Sequence, residues 1–133
     1  MVDTTSPPIL VVSPSLTLKA QLELLVEELG LRWASFSQAQ EGLEFLKEHT
    51  PAAIILDEGL NPDAFAIAGR LKMIKRLRDV PLVLLVSERN ERTTITAEVS
   101  RVDHLLPKPI DRRRLKSLLR SLAHPRSENP LVD

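Results

Sequence analysis

Val80-Pro81-Leu82-Val83-Leu84-Leu85-Val86 runs seven residues without a charge and without alternation, and Ser87-Glu88 ends it. A strand with one wet face alternates polar and apolar side chains. A strand apolar at every position is covered on both faces, as in a parallel sheet packed between helices. Two other stretches have the same character: Pro8-Ile9-Leu10-Val11-Val12, closed by Ser13-Pro14, and Ala52-Ala53-Ile54-Ile55-Leu56, closed by Asp57. Leu31–Phe36 and a short strand at His104–Leu106 bring the number to five.

Between these strands the period changes from two to 3.6. Ser15 stands as an N-cap before Leu18, Leu22, Leu25, Val26 and Leu29, and Gly30 follows as a C′ residue. Ser37 is expected to cap a second helix with Ala39, Leu43 and Leu46 on its inner stripe and Phe45 beside it, ending before Pro51. Asp63 is expected to cap a third helix with Phe65, Ile67, Leu71, Ile74 and Leu77 inward and Arg70, Lys72, Lys75, Arg76 and Arg78 in water. A fourth helix at about 91–99 and a fifth at about 111–122 complete the pattern. Five buried strands, each followed by a helix, require right-handed crossovers and helices on both faces. The fold class is therefore α/β, a doubly wound (βα)5 parallel sheet.

With 133 residues there is one hydrophobic core, assigned to residues 8–122, with flexible segments at 1–7 and 123–133. The absence of cysteine removes disulfides and thiolate metal sites, and His49, His104 and His124 are too scattered for a zinc cluster. No apolar run approaches the ~20 residues that span a bilayer, and the start lacks a basic leader segment. A cytoplasmic protein without membrane contact is expected. Charge is uneven: residues 1–66 hold ten acids against three bases, net −7, and the remainder is +7. Basic helix faces such as Arg112-Arg113-Arg114-Leu115-Lys116 raise nucleic-acid binding as an alternative. No aromatic side chain is interleaved among them to stack bases, so solvated helix surface is the preferred reading. A Gly-rich phosphate loop and a G-x-S-x-G elbow are both absent, and no enzymatic activity is expected.

In doubly wound sheets the ligand site lies beyond the carboxyl ends of the strands. The polar residues there are Ser13 after the first strand, Asp57 and Glu58 after the third, Ser87 and Glu88 after the fourth, and Lys108 after the fifth. Asp57, Ser87 and Lys108 are a carboxylate, a hydroxyl and an ammonium placed to converge.

In three segments the chain resembles the receiver domains of two-component response regulators: Ile54-Ile55-Leu56-Asp57, Leu82-Val83-Leu84-Leu85-Val86-Ser87 and Leu106-Pro107-Lys108-Pro109. The resemblance extends from about residue 8 to 122. It implies the flavodoxin-like receiver fold with strand order 2-1-3-4-5. It also implies a phosphoacceptor at Asp57, served by a histidine kinase and Mg2+, with Ser87 and Lys108 in the phosphate pocket. The departures weigh against that chemistry. Where the family keeps two metal-binding acids stand Ser13 and Pro14, and Mg2+ requires hard oxygen ligands. Leu105 replaces the switch aromatic, Glu88 replaces a small residue beside the pocket, and the loop after Asp57 is remodelled. The preferred reading is an atypical receiver, or pseudo-receiver, that signals through protein contacts without aspartyl phosphorylation, needs no cofactor, and keeps Asp57 and Lys108 as a structural pair. A working phosphoreceiver using Mg2+ is the alternative. Expected partners are a histidine kinase or a downstream regulator. A second copy is a further candidate, docked through the fourth helix, fifth strand and fifth helix, with Arg92, Ile95, Glu98, Val99, Leu105, Leu115, Leu118 and Leu119 in the candidate contact.

Overall fold

The runs without alternation form the centre of the sheet. In the computed structural model, which describes residues 6–123, the strands are β1 (Ile9–Val12), β2 (Trp33–Phe36), β3 (Ala53–Asp57), β4 (Leu82–Val86) and β5 (His104–Pro107). They alternate with α1 (Leu16–Glu28), α2 (Ala39–Glu48), α3 (Ala64–Lys72), α4 (Glu91–Val99) and α5 (Arg112–Ala123). All strand pairs are parallel, in the order β2-β1-β3-β4-β5. Every residue of β1, β3 and β4 is buried, while the edge strands β2 and β5 are partly open. The class and strand order match the sequence reading.

Because successive strand residues point to opposite faces, the core divides into two layers. Leu10, Val12, Ile54, Leu56, Leu82 and Leu84 meet Leu46 of α2 and Ile67 and Leu71 of α3. Ile9, Val11, Ile55, Val83 and Leu85 meet Leu22 and Leu25 of α1 and Leu115 and Leu119 of α5. Each fully buried aliphatic side chain contributes about 1.5–3 kcal/mol of burial. Gly42 allows α2 to lie close on β1, since a Cβ there would sit 2.9 Å from Val12 Cγ2.

The caps read from sequence at α1 and α3 are present. Ser15 Oγ accepts the Leu18 N–H at 3.1 Å. Gly30 takes φ +75° at the end of α1, a left-handed conformation that glycine adopts without a Cβ clash. Asp63 Oδ1 accepts from Phe65 N–H at 2.9 Å and Ala66 N–H at 3.4 Å.

Three expectations need correction. The N-cap of α2 is Gln38, not Ser37. Glu41, at the third helical position, reaches back to the N–H groups of both residues, and the Ser37 hydroxyl is instead the partner of Lys19 Nζ. The third helix stops at Lys72, followed by a 3-10 turn over Lys75–Leu77, so Ile74 is turned out and 43% exposed. Lys72, expected in water, is buried at 4% exposure. Its Nζ donates to Val80 O at 2.7 Å and Arg78 O at 3.1 Å and pairs with Asp103 Oδ2 at 2.7 Å. At the termini, the Ser6 carbonyl is held by Arg32 Nη1 at 2.6 Å and Ala123 is helical. The flexible ends expected at 1–7 and 123–133 fall mostly on residues 1–5 and 124–133, which, His124 included, lie outside the described range.

Candidate functional site

The registers Val12↔Leu56, Leu56↔Leu84 and Leu84↔Leu105 keep the strand ends level, so the residues that follow emerge along one rim. Asp57 closes β3 at 3% exposure. One oxygen, Oδ1, accepts the Gly59 N–H at 3.0 Å and the Lys108 ammonium at 2.9 Å. The other, Oδ2, accepts the Ser13 hydroxyl at 2.6 Å. Ser13 is itself fully buried, and its backbone N–H donates to Phe36 O at 3.0 Å, which seats it beside β2. Lys108 comes from the loop after β5. Its N–H donates to Val86 O at 2.7 Å, and a cis peptide bond joins it to Pro109.

Opposing influences set the charge on Asp57. Burial pushes its carboxyl up, but the Gly59 N–H, the Ser13 hydroxyl and the Lys108 ammonium together outweigh burial and hold it below its ordinary value. The native state therefore binds this proton less readily than the unfolded chain does. The associated stability is fully present above the unfolded carboxyl value of about 3.9 and is lost as pH falls through the lower folded value. Urea midpoints measured from pH 7 to pH 3 should drop more steeply for the native sequence than for Asp57→Asn, the gap between the two curves narrowing toward the acid end.

The other residues named from sequence are placed as follows. Ser87 is exposed, and its N–H donates to Glu58 Oε1 at 2.7 Å. Its side chain is not among the groups on Asp57. Nor is it a helix cap: Asn90 caps α4, taking the Thr93 N–H at 3.0 Å. Glu88 is exposed, and the carboxylate that reaches the end of β4 is that of Glu58. Pro14 is exposed, while Leu105 is half-buried against the core layer of α2 and α3. Of the candidate dimer residues, Leu115 and Leu119 are core, whereas Ile95 and Val99 are exposed. The engagement of Asp57 by Ser13 was not foreseen, because a serine was read there only as the loss of an acid.

These residues do not suit a hard divalent cation. Pro14 offers no side-chain ligand, the Ser13 hydroxyl points its hydrogen at Asp57, and both carboxylate oxygens of Asp57 are already engaged. Among the described residues there is no group of three or more His, Cys, Asp or Glu side chains able to hold a metal ion.

No family model matches the chain. It is 27% identical over 117 residues to the transcriptional regulatory protein AfsQ1 of Streptomyces coelicolor, covering 87% of this chain and 51% of that protein. The chain thus spans about half the length of this curated relative. Among solved structures it matches the signal receiver domain of a signal transduction histidine kinase from Syntrophus aciditrophicus. That match has 25% identity and a TM-score of 0.83, over 96% of this chain and 98% of that one. The chain has the receiver fold, and the proteins it resembles are receiver domains and regulators of the response-regulator type. Two further structures share the fold. The chemotaxis response regulator CheY4 of Vibrio cholerae matches at TM-score 0.81 and 16% identity, covering 88% of this chain and 98% of that one. The receiver domain of sensor histidine kinase PA1611 from Pseudomonas aeruginosa, which has a magnesium ion coordinated in its active site cleft, matches at TM-score 0.79 and 18% identity, covering 89% and 98%.

The basic helix faces serve partly internal ends. Glu28 of α1 accepts from Lys116 Nζ at 2.8 Å and Arg112 Nη2 at 2.5 Å, which join α5 to α1. Arg76 binds the carbonyls of Leu46 and His49 and the Thr50 hydroxyl, closing the end of α2. With Lys72 buried, four of the bases that raised a nucleic-acid reading are occupied within the fold. No helix among the described residues is long and apolar enough to cross a membrane.

Proposed function

We propose that this receiver domain acts by binding a protein partner in a two-component pathway, independently of phosphorylation at Asp57. The observation that carries the reading is the 2.6 Å bond from Ser13 to Asp57 at the position where the receiver family keeps a metal-binding acid. A hydroxyl donor there satisfies the aspartate without a cation, and with Pro14 beside it no second carboxylate supports one. Phosphoryl transfer to an aspartate develops negative charge that a divalent cation must offset, and Lys108 alone supplies one positive charge. Glu58 adds a further carboxylate at the adjoining strand end.

The partner is of the class that receivers meet, a histidine kinase or a downstream regulator, in the cytoplasm. The curated relative is named as a transcriptional regulatory protein, which fits the second kind. A second copy is the partner we propose for the isolated chain, docked on the face of α4, β5 and α5 where Ile95 and Val99 are exposed. Sedimentation should reveal a dimer at high protein concentration, and a monomer throughout would remove this contact.

One observation favours a second reading, phosphoryl acceptance on Asp57. The carboxylate is held ionised beside Lys108 at 2.9 Å, as a nucleophile would need. A single experiment separates the two. Amide NMR spectra with millimolar Mg2+ and beryllofluoride are expected to remain unchanged, and saturable shifts at Asp57, Gly59 and Ser87 would establish the phosphoreceiver instead.

A further inference from the structure

Ser13 makes two bonds in opposite directions. Its hydroxyl donates to Asp57 Oδ2 at 2.6 Å and accepts the Ser15 N–H at 3.0 Å. Ser15 in turn accepts the Leu18 N–H at 3.1 Å and thereby caps α1. Two consecutive hydrogen bonds therefore run from the buried carboxylate to the Ser15 backbone N–H, and the side chain of that same residue, fixed through its covalent frame, caps the first turn of α1. The first lies between side chains exposed 3% and 0%. There the dielectric is low, and consecutive hydrogen bonds polarise one another. A hydroxyl that donates to a charged acceptor becomes a better acceptor itself, so the Ser15 N–H is held more strongly while Asp57 carries its charge. In the other direction, Leu105 sits half-buried in the aliphatic layer with Val86 and Leu84 and has no polar group through which to reach Asp57.

We infer that Ser13 is a positioning residue that couples Asp57 to the N-terminus of α1, so that the pocket communicates with α1 rather than with β5. The inference deepens the proposed function by giving a protein-binding receiver a route from pocket to surface that needs neither metal nor aromatic switch. The surface at the end of this route is the corner Pro14-Ser15-Leu16, where Leu16 is 75% exposed. Coupling is reciprocal, so a change at this corner also changes how firmly Asp57 is held. The groups that face Asp57 from neighbouring elements are Lys108, Ser13 and the Gly59 N–H, and Glu58 is engaged with Ser87.

Native-state hydrogen exchange on the full chain tests the route, with the core amide of Leu84 as the reference for global stability. Asp57→Asn should speed exchange at the Ser15 and Leu18 amides about threefold or more relative to Leu84. Lys108→Met, which frees Oδ1 of its ammonium partner without touching Ser13, should act in the opposite direction, since the ionised carboxylate then accepts the Ser13 hydroxyl more strongly. In a Ser13→Ala background neither substitution should add anything at those two amides, since the route is already cut; a purely structural serine would give additive effects. Amides of β5 should follow Leu84 throughout. Unchanged Ser15 and Leu18 exchange in both single variants would overturn the inference, as would an effect of Asp57→Asn that survives in the Ser13→Ala background. Response to Mg2+ and beryllofluoride belongs to the proposed function and leaves this result untouched, so the two readings fail separately.

Discussion

Lys72→Met should destabilise the domain by about 2–3 kcal/mol, lowering the melting temperature by roughly 10 °C for a chain of this size. The ammonium of Lys72 has three protons and three acceptors, the carbonyls of Arg78 and Val80 and the carboxylate of Asp103. Methionine retains most of the apolar stem and removes only the donors, so the measured loss reports on the ammonium. A fully buried pair broken on one side costs about 3–5 kcal/mol. Here the Asp103 side chain is 40% exposed, so water takes over part of its solvation and the lower range applies. Asp103 also accepts the Leu82 N–H at 2.8 Å, which ties this cluster to the start of β4. Asp103→Asn should therefore cost less than Lys72→Met, and the double variant should fall short of the sum by ~1 kcal/mol. Urea unfolding of the four proteins measures this directly. Additive losses would mean that Lys72 and Asp103 act independently.

Lys72 also marks a limit of the pattern by which the helices were read. Hydrophobic spacing identifies an inner face by its apolar members, and a lysine was placed outside by type. Yet Ala64, Ala68 and Lys72 follow one another at intervals of four, and all three are buried. Two alanines leave room beneath the helix end, and the lysine stem continues the stripe until its head meets backbone carbonyls. Where residue type and period agreed, as at Ser15, Gly30, Asp63 and the three central strands, the sequence was sufficient. At Ser37 two polar residues were adjacent and Glu41 reaches the N–H of both, so the cap falls on Gln38 only because the folded chain begins its helical turn at Ala39. Convergence of Asp57 and Lys108 was legible because strand ends in a doubly wound sheet share one rim. The orientation of Ser87 was not, because the side chain that would occupy its backbone donor, Glu58, lies 29 positions away. The role of Ser13 was missed for a related reason. A hydroxyl in place of a carboxylate exchanges an acceptor for a donor, and its significance depends on the 2.6 Å separation that only the folded chain provides.

That exchange underlies the other large effect. Ser13→Asp should lower stability by about 2–4 kcal/mol at neutral pH in the absence of divalent ions, and millimolar Mg2+ should restore much of it, while the native sequence remains indifferent to Mg2+. The substitution removes the donor on Asp57 Oδ2 and sets a second carboxylate in a fully buried position beside one that is 3% exposed. Two like charges in a dry site cannot both remain ionised at low cost, so one carboxyl is driven upward and takes a proton, or the fold loosens. Lys108 offsets part of the repulsion but already bonds Oδ1. A divalent cation offsets the rest, because paired carboxylates supply the hard oxygen ligands that Ser13 and Pro14 lack. By linkage, a cation at a hundred times its dissociation constant adds about 2.7 kcal/mol. Adding Pro14→Asp should raise Mg2+ affinity further at little structural cost, since Pro14 is exposed. Thermal melts with and without Mg2+ measure each step. If Ser13→Asp melts at the same temperature with and without Mg2+, the missing acid is not what keeps metal out of this pocket, and the obstacle lies instead in the remodelled loop after Asp57. If Mg2+ rescues the variant, a single hydroxyl separates a metal-free receiver from one able to bind the ion that aspartyl phosphorylation requires.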